Sequence, residues 1–241
     1  LFTADLQETL RQFEEADNFG SLIVPKVQNV ESILKLLESK DVTKDIFLQE
    51  THQRVLELLK QADYLSQKYH VVVANPPFMG SRNHNPTLKS FLTKEYKGYE
   101  KNVYSAFIIR AQTLSIKKGL IGYVTPFTWL SISSYEKLRY EILSNMGIVS
   151  LVKPSYTAFF EMATVQFVSF ILINDRQNIT SRYFDLGYLG TAQEQPKRFI
   201  NRITNKTSEG VFVRNSEDFI NIPGNPIAFS LSTQIRKAFI E

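Results

Sequence analysis

Apolar positions recur at helical spacing along the first 69 residues. Ala4, Leu6, Leu10 and Phe13 stand among Asp, Glu, Gln and Arg. Val30, Ile33, Leu34 and Leu37 repeat the stripe, and Val55, Leu56, Leu58, Leu59 and Ala62 form a third. Spacings of three and four turn one face of each helix toward a core, so residues 1–69 read as a helical segment. The texture changes at Tyr69. Val71, Val72, Val73 and Ala74 make a short unbroken apolar run that ends at Asn75-Pro76-Pro77. Such a run predicts a strand buried on both faces, as in a parallel sheet. Helices are predicted over 87–97 and 103–118, the second stopped by Lys117-Lys118-Gly119, because basic residues followed by Gly close a helix. Leu120–Thr125 is the next strand and Ser133–Asn145 the next helix. Ile148–Lys153 and Thr164–Asn174 are two more strands; with no helix between them they predict an antiparallel edge. The alternation gives an α/β fold with residues 70–174 as its sheet-bearing part. From 175 to 241 the pattern weakens. Residues 176–206 carry six cationic side chains, Arg176, Arg182, Lys197, Arg198, Arg202 and Lys206, against Asp185 and Glu194. This stretch reads either as a solvated, irregular connector or as a surface for a DNA backbone.

Composition changes this picture mainly by exclusion. At 241 residues with 43% hydrophobic and 22% charged positions, the chain is an ordinary globular sequence with room for one large domain or two small ones. Lys plus Arg is 28 against 24 acidic residues, a net charge of +4 that permits nucleic-acid binding without arguing for it. The absence of cysteine removes disulfides, Cys-based zinc sites and a thiol nucleophile, and fits a reducing cytoplasm. No apolar run approaches about 18 residues, so no membrane span is expected. No secretory signal opens the chain. It starts at Leu1 rather than Met and ends on a helix-like Ile235–Glu241, and reads as a piece of a longer polypeptide. His52, His70 and His84 are too scattered to suggest a metal site.

The chemistry is concentrated in Asn75-Pro76-Pro77-Phe78. These residues follow a predicted parallel strand, and open α/β sheets bind ligands at that end. The prolines fix their own φ and push the preceding residues toward extended geometry, which makes a stiff turn. The Asn75 side chain and the Pro76 carbonyl can then act together as two acceptors for a planar NH₂ group, with Phe78 as a flat apolar face beside them. That suits methylation of an exocyclic amine, whose lone pair is delocalised until both N–H bonds are accepted. Positioning and fixed electrostatics supply the catalysis, and no strong general base is needed. A simple strand-ending turn has the same four residues. Arg82, His84 and Asn85 follow in a polar loop, suited to phosphate contacts or simply exposed. Trp129, after Pro126, borders a pocket or packs in the core.

Here the sequence resembles a known family. Asn75–Phe78 is similar to the catalytic tetrapeptide of amino-group methyltransferases that use S-adenosylmethionine, in its Phe variant. Asn102-Val103-Tyr104-Ser105-Ala106-Phe107 and Gly119-Leu120-Ile121-Gly122-Tyr123-Val124-Thr125-Pro126-Phe127-Thr128-Trp129-Leu130 resemble later segments of DNA adenine methyltransferases. Tyr156–Asn174 is similar to their flipped-base pocket. Ala16–Leu22, Met79-Gly80-Ser81 with Asn85-Pro86, Ser133–Arg139 and Ile222–Ala228 extend the resemblance to the PglX-type adenine-specific DNA methyltransferases of BREX phage-exclusion systems.

The resemblance implies part of a Rossmann-like class I methyltransferase sheet preceded by a helical segment. It implies transfer of a methyl group from S-adenosylmethionine to N6 of a flipped adenine, in phage defence. The partners implied are double-stranded DNA and other phage-defence proteins, with no membrane and in the cytoplasm. Asn75, Pro76, Pro77 and Phe78 would be catalytic. Phe160, or alternatively Phe159, would contact the base from the other side, and Arg82 and Asn85 would contact DNA. Residues 175–241 would lead toward a target-recognition region. The chain also departs from the family pattern. None of its 10 glycines stands in a Gly-x-Gly arrangement, so the main cofactor loop is expected upstream of Leu1 and the fragment alone is expected to be inactive. His70 stands where relatives often carry an acid, and Phe78 replaces the commoner Tyr. Two other readings stay open: a protein glutamine methyltransferase, which uses the same turn on a side-chain amide, and a non-catalytic DNA- or partner-binding module.

Overall fold

The computed structural model describes residues 3–27, 29–42, 46–155, 166–176, 179–187, 193–205, 210–232, 234, 235 and 238. The chain divides into two compact units, Leu1–Lys68 with Pro86–Phe91, and Tyr69–Asn85 with Leu92–Glu241. The first is helical, with α1 (Ala4–Glu14), α2 (Ala16–Phe19), α3 (Val30–Glu38) and α4 (Ile46–Ser66). Helix α1 begins where the Thr3 hydroxyl accepts a bond from the Leu6 N–H at 3.2 Å. Its apolar stripe packs as the spacing predicts: Leu6 meets Val27, Val30 and Leu59, and Phe13 meets Ile23 and Ala62. The fully buried Thr9 holds the stretch after α2 in place. Its hydroxyl donates to the Asp5 carbonyl at 2.8 Å and accepts from the N–H groups of Lys26 and Val27 at 3.2 and 3.1 Å. Those two donors lie outside any helix, so the side chain supplies the acceptor that regular structure would. A cavity of about 360 Å³ in this unit is lined by Phe13, Asp17, Gln61, Tyr64 and Leu65, among others.

The second unit is built on a sheet. Its elements are β1 (Tyr69–Ala74), α5 (Pro86–Glu95, shared between the units), α6 (Val103–Leu114), β2 (Ser115–Pro126), α7 (Glu136–Asn145), β3 (Gly147–Lys153), β4 (Phe167–Ile173), β5 (Thr180–Asp185), α8 (Gln195–Asn205), β6 (Val211–Asn215) and α9 (Glu217–Ile220). The strand order is β1-β2-β4-β3-β5-β6. β1 and β2 are parallel, as are β3 and β5; β4 is antiparallel to both its neighbours, and β6 to β5. Strands β1, β2, β3 and β5 therefore all end at one edge. Tyr104, Ile108 and Ala111 of α6 and Leu138, Ile142 and Leu143 of α7 pack on one sheet face, against Ile121, Tyr123, Leu151 and Phe170.

Four sequence expectations change. Helix α6 ends at Leu114, and Lys117-Lys118-Gly119 lies inside β2. The pairing jumps from Tyr69↔Ser115 to Val71↔Leu120, so β2 carries an insertion bulged out of the ladder, with Lys118 at φ +65°. The Asn174 side chain fixes it, donating to the carbonyls of Gln112, Ser115 and Ile116. Strand β4 does pair antiparallel with β3, but it lies between β2 and β3 rather than at an edge. The described part of 176–206 is not irregular: it holds β5 and α8, and β5 and β6 continue the sheet, with Ser181, Tyr183 and Phe184 buried and Arg182 turned out. Strand β1 is covered on one face only: Val72 and Ala74 are half-buried against the core, while Val71 and Val73 are exposed. The helix-like Ile235–Glu241 falls mostly outside the described residues.

Candidate functional site

The edge where β1, β2, β3 and β5 end gathers the chemistry-bearing loops. Lys153 and Asp185 close β3 and β5 with an ion pair at 3.1 Å, and the Lys153 carbonyl accepts from the Leu186 N–H at 2.8 Å. Asn75-Pro76-Pro77-Phe78 leaves the end of β1. Neither proline has an N–H to continue the ladder, so pairing with β2 stops at Ala74↔Tyr123. Pro76 is buried, while Asn75, Pro77 and Phe78 are exposed. Neither the Asn75 amide nor the Pro76 carbonyl is hydrogen-bonded to a described residue. Among the described residues, the turn thus presents two unused acceptors on consecutive residues. The Phe78 ring lies 5.4 Å from that of Phe167, the first residue of β4, at 40°. It remains 38% exposed, which leaves ring surface for a planar ligand.

The loop is held from behind by the start of α6. The Val103 N–H donates to the Met79 carbonyl at 3.0 Å, and the Ser81 N–H to the Lys101 carbonyl at 3.1 Å. Gly80 and Asn102 form an isolated antiparallel bridge. Asn102 caps α6, its side chain accepting from the Tyr104 N–H. The Tyr104 hydroxyl meets that of Thr128 at 3.1 Å, which joins α6 to the turn after β2. Burial raises the Tyr104 phenol well above its usual range, so it stays protonated as a bonding group. The Asn102–Phe107 segment is therefore the support of the tetrapeptide.

The other singled-out residues divide. Arg82 is exposed on the loop, and Asn85 is exposed three residues on. His84 is half-buried with a ring nitrogen 3.0 Å from the Met79 carbonyl, so it braces the loop. Trp129 is fully buried and donates to the Thr125 hydroxyl at 3.0 Å, a core residue rather than a pocket wall. Phe159 and Phe160 lie outside the described residues. Phe167 was not singled out from the sequence, although it lies within Tyr156–Asn174, the segment that resembles a flipped-base pocket. Among the described residues no group of three or more His, Asp or Glu could hold a metal ion. The residues at this edge fit the amine-accepting side of a methyl-transfer site. The one long helix start beside it, that of α6, is already capped by Asn102, so no contact to a methyl donor is assigned to these residues.

Comparison with known proteins bears on this geometry. A model of the Eco57I restriction-modification methylase family matches residues 3–160, more than half of the chain. The adenine-specific methyltransferase BrxX of Escherichia coli O9:H4 (strain HS) is 28% identical over 243 residues, which span 98% of this chain and 20% of the relative. The adenine-specific methyltransferase PglX of Lacticaseibacillus casei (strain Zhang) is 27% identical over 236 residues, spanning 94% of this chain and 20% of the relative. The chain thus covers about a fifth of the length of these curated relatives. A nuclease-deletion mutant of the Type ISP restriction-modification enzyme LlaGI, solved with a DNA substrate mimic, superposes with a TM-score of 0.50 at 16% identity, over 76% of this chain and 20% of that one. This last likeness shows a shared fold, in keeping with the α/β class expected from the sequence.

Proposed function

The chain belongs to the Eco57I restriction-modification methylase family, and on that premise we propose that it is the amine-binding part of a DNA adenine N6-methyltransferase. The reading rests on one observation: two acceptors with no partner among the described residues, the Asn75 amide oxygen and the Pro76 carbonyl, are followed along the turn by the partly open ring of Phe78. An exocyclic amine has two N–H bonds and a lone pair delocalised into its ring. Accepting both N–H bonds returns the lone pair to nitrogen and aims it. As nitrogen takes on positive charge in the transition state, the same two oxygens stabilise it without reorganising. S-adenosylmethionine, when bound, supplies the electrophilic methyl group. The adenine must leave the duplex to reach the turn, and stacking on Phe78 offsets part of that cost by about 1–3 kcal/mol.

Exposed Arg82 and Asn85 lie on the same loop and suit the DNA backbone, while Phe160, or Phe159, is the proposed contact on the second face of the base. The adenine specificity named for BrxX and PglX supports the substrate, and the resemblance to BREX methyltransferases supports phage defence, with double-stranded DNA and other defence proteins as partners. A cytoplasmic setting fits this role; no helix among the described residues is long and apolar enough to cross a membrane. The test is methyl transfer from labelled S-adenosylmethionine to unmethylated DNA by the full-length protein, with the labelled base identified after digestion. Label in N6-methyladenine is expected. Label in a protein glutamine instead, or in neither substrate, would overturn the reading.

A further inference from the structure

Two sequence segments that the amine site does not use, Ser133–Arg139 and Ile222–Ala228, meet in the structure through one side chain. Arg139, on α7, is 1% exposed. Its guanidinium donates four hydrogen bonds, all to backbone carbonyls. Nη1 reaches Trp129 at 2.9 Å and Ile132 at 2.7 Å; Nε and Nη2 reach Gly224 at 3.0 and 2.6 Å. Among the described residues no carboxylate forms an ion pair with it. Packing alone would favour an apolar residue here, because a buried cation is retained only when its donors are satisfied. The planar fork is what addresses three separate carbonyls at once, and an ammonium cannot reproduce it.

The carbonyls belong to two turns. Trp129 and Ile132 follow β2, and Gly224 follows α9. Gly224 and Asn225 stand at φ +76° and +50°, a left-handed pair, with the Asn225 amide donating back to the Ile220 carbonyl at 2.7 Å. The Ile227 N–H adds a bond to the Leu130 carbonyl at 2.8 Å. From the first turn the connection runs on. Thr128 meets the Tyr104 hydroxyl at 3.1 Å, and Val103 holds the Met79 carbonyl at 3.0 Å, one residue past the tetrapeptide. We propose that Arg139 is a positioning residue of the amine site: it fastens the Ile222–Ile227 turn to the Trp129–Ile132 loop, and through Thr128, Tyr104 and Val103 it sets the loop that carries Asn75. This inference rests on the amine-site reading above.

The experiment compares the full-length protein with its Arg139→Lys, Arg139→Met and Gly224→Ala variants. Kinetic constants for DNA methylation and hydrogen exchange at the Ile227 amide are measured on each. Gly224→Ala leaves Arg139 in place and strains only the left-handed turn, since an added Cβ would meet nothing nearer than Arg139 Nη2 at 4.0 Å. It decides the matter if the arginine variants do not fold. Expected are a fall in kcat of about tenfold or more with KM for DNA within about threefold, and faster exchange at Ile227, in Arg139→Lys as in Arg139→Met. Gly224→Ala should move both in the same direction by less. Restoration of wild-type kcat and exchange by Arg139→Lys would overturn the proposal, as would an effect confined to KM. If the parent methylates no DNA, the amine-site reading fails by itself; the exchange at Ile227 then still decides the clamp, and unchanged exchange overturns it.

Discussion

Phe78 gives part of its ring to Phe167 and keeps 38% of its surface open, so a flat ligand has one side to occupy. If that ligand is a base, Phe78→Ala in the full-length protein lowers kcat/KM for methylation by about 5- to 150-fold, the equivalent of one lost stacking contact. Phe78→Tyr keeps the activity, because stacking does not use the hydroxyl. Equal activity in all three proteins would remove the stacking role. The tetrapeptide was legible in the sequence because its chemistry is contiguous: acceptor, rigid turn and aromatic face sit on four successive residues. Phe167 was not, because it reaches Phe78 only through the placement of β4 beside β2. Arg139 was equally hidden, since one of its partners, Gly224, lies 85 positions away and all of them are backbone atoms that carry no sequence signal.

At the scale of elements, the bulge in β2 shows where local rules stop. Lys117-Lys118-Gly119 satisfies the pattern of a helix end as well as that of a strand insertion. The choice is made by Asn174, which binds three carbonyls around residues 112–116. Gly119 is required there by close approach: a Cβ would collide with the Ser115 hydroxyl and come within 3.0 Å of the His70 and Ile116 carbonyl oxygens. Gly119→Ala should destabilise the fold by about 1–3 kcal/mol through overpacking, read as a lower midpoint in thermal unfolding. An unchanged midpoint would show that the bulge yields freely. The strands of 175–241 were missed for a related reason. Thr180–Asp185 alternates as a strand should, but its Arg182 and the cations of α8 obscured a six-residue signal.

For the whole molecule, the sequence carried the kind and rough position of most elements but not the order of the strands. Insertion of β4 between β2 and β3 depends on pairings 17 to 26 residues apart with β3 and 41 to 53 apart with β2, with residues 154–166 separating β3 from β4. Four of the buried phenols, those of Tyr96, Tyr104, Tyr123 and Tyr183, give the fold a pH limit. Desolvation raises Tyr96 to about 12, and raises Tyr104, Tyr123 and Tyr183 as well. The folded state therefore retains protons that the unfolded chain releases near pH 10. Their contribution to stability is complete below about pH 10 and is lost as the pH rises from there through the raised values. Phenolate absorbance and circular dichroism recorded together should show these tyrosines ionising as the structure unfolds. Full ionisation near pH 10 with the fold intact would contradict the packing.

The central claim is that the Asn75 amide binds the reacting amine rather than the fold or the duplex. The direct measurement is DNA methylation and DNA affinity of the full-length protein and its Asn75→Ala variant under the same conditions. The account predicts a loss of methylation of about 100-fold or more, as for a removed transition-state hydrogen bond, with DNA affinity changed by no more than about twofold. Retained methylation, or a parallel loss of methylation and DNA affinity, would contradict it.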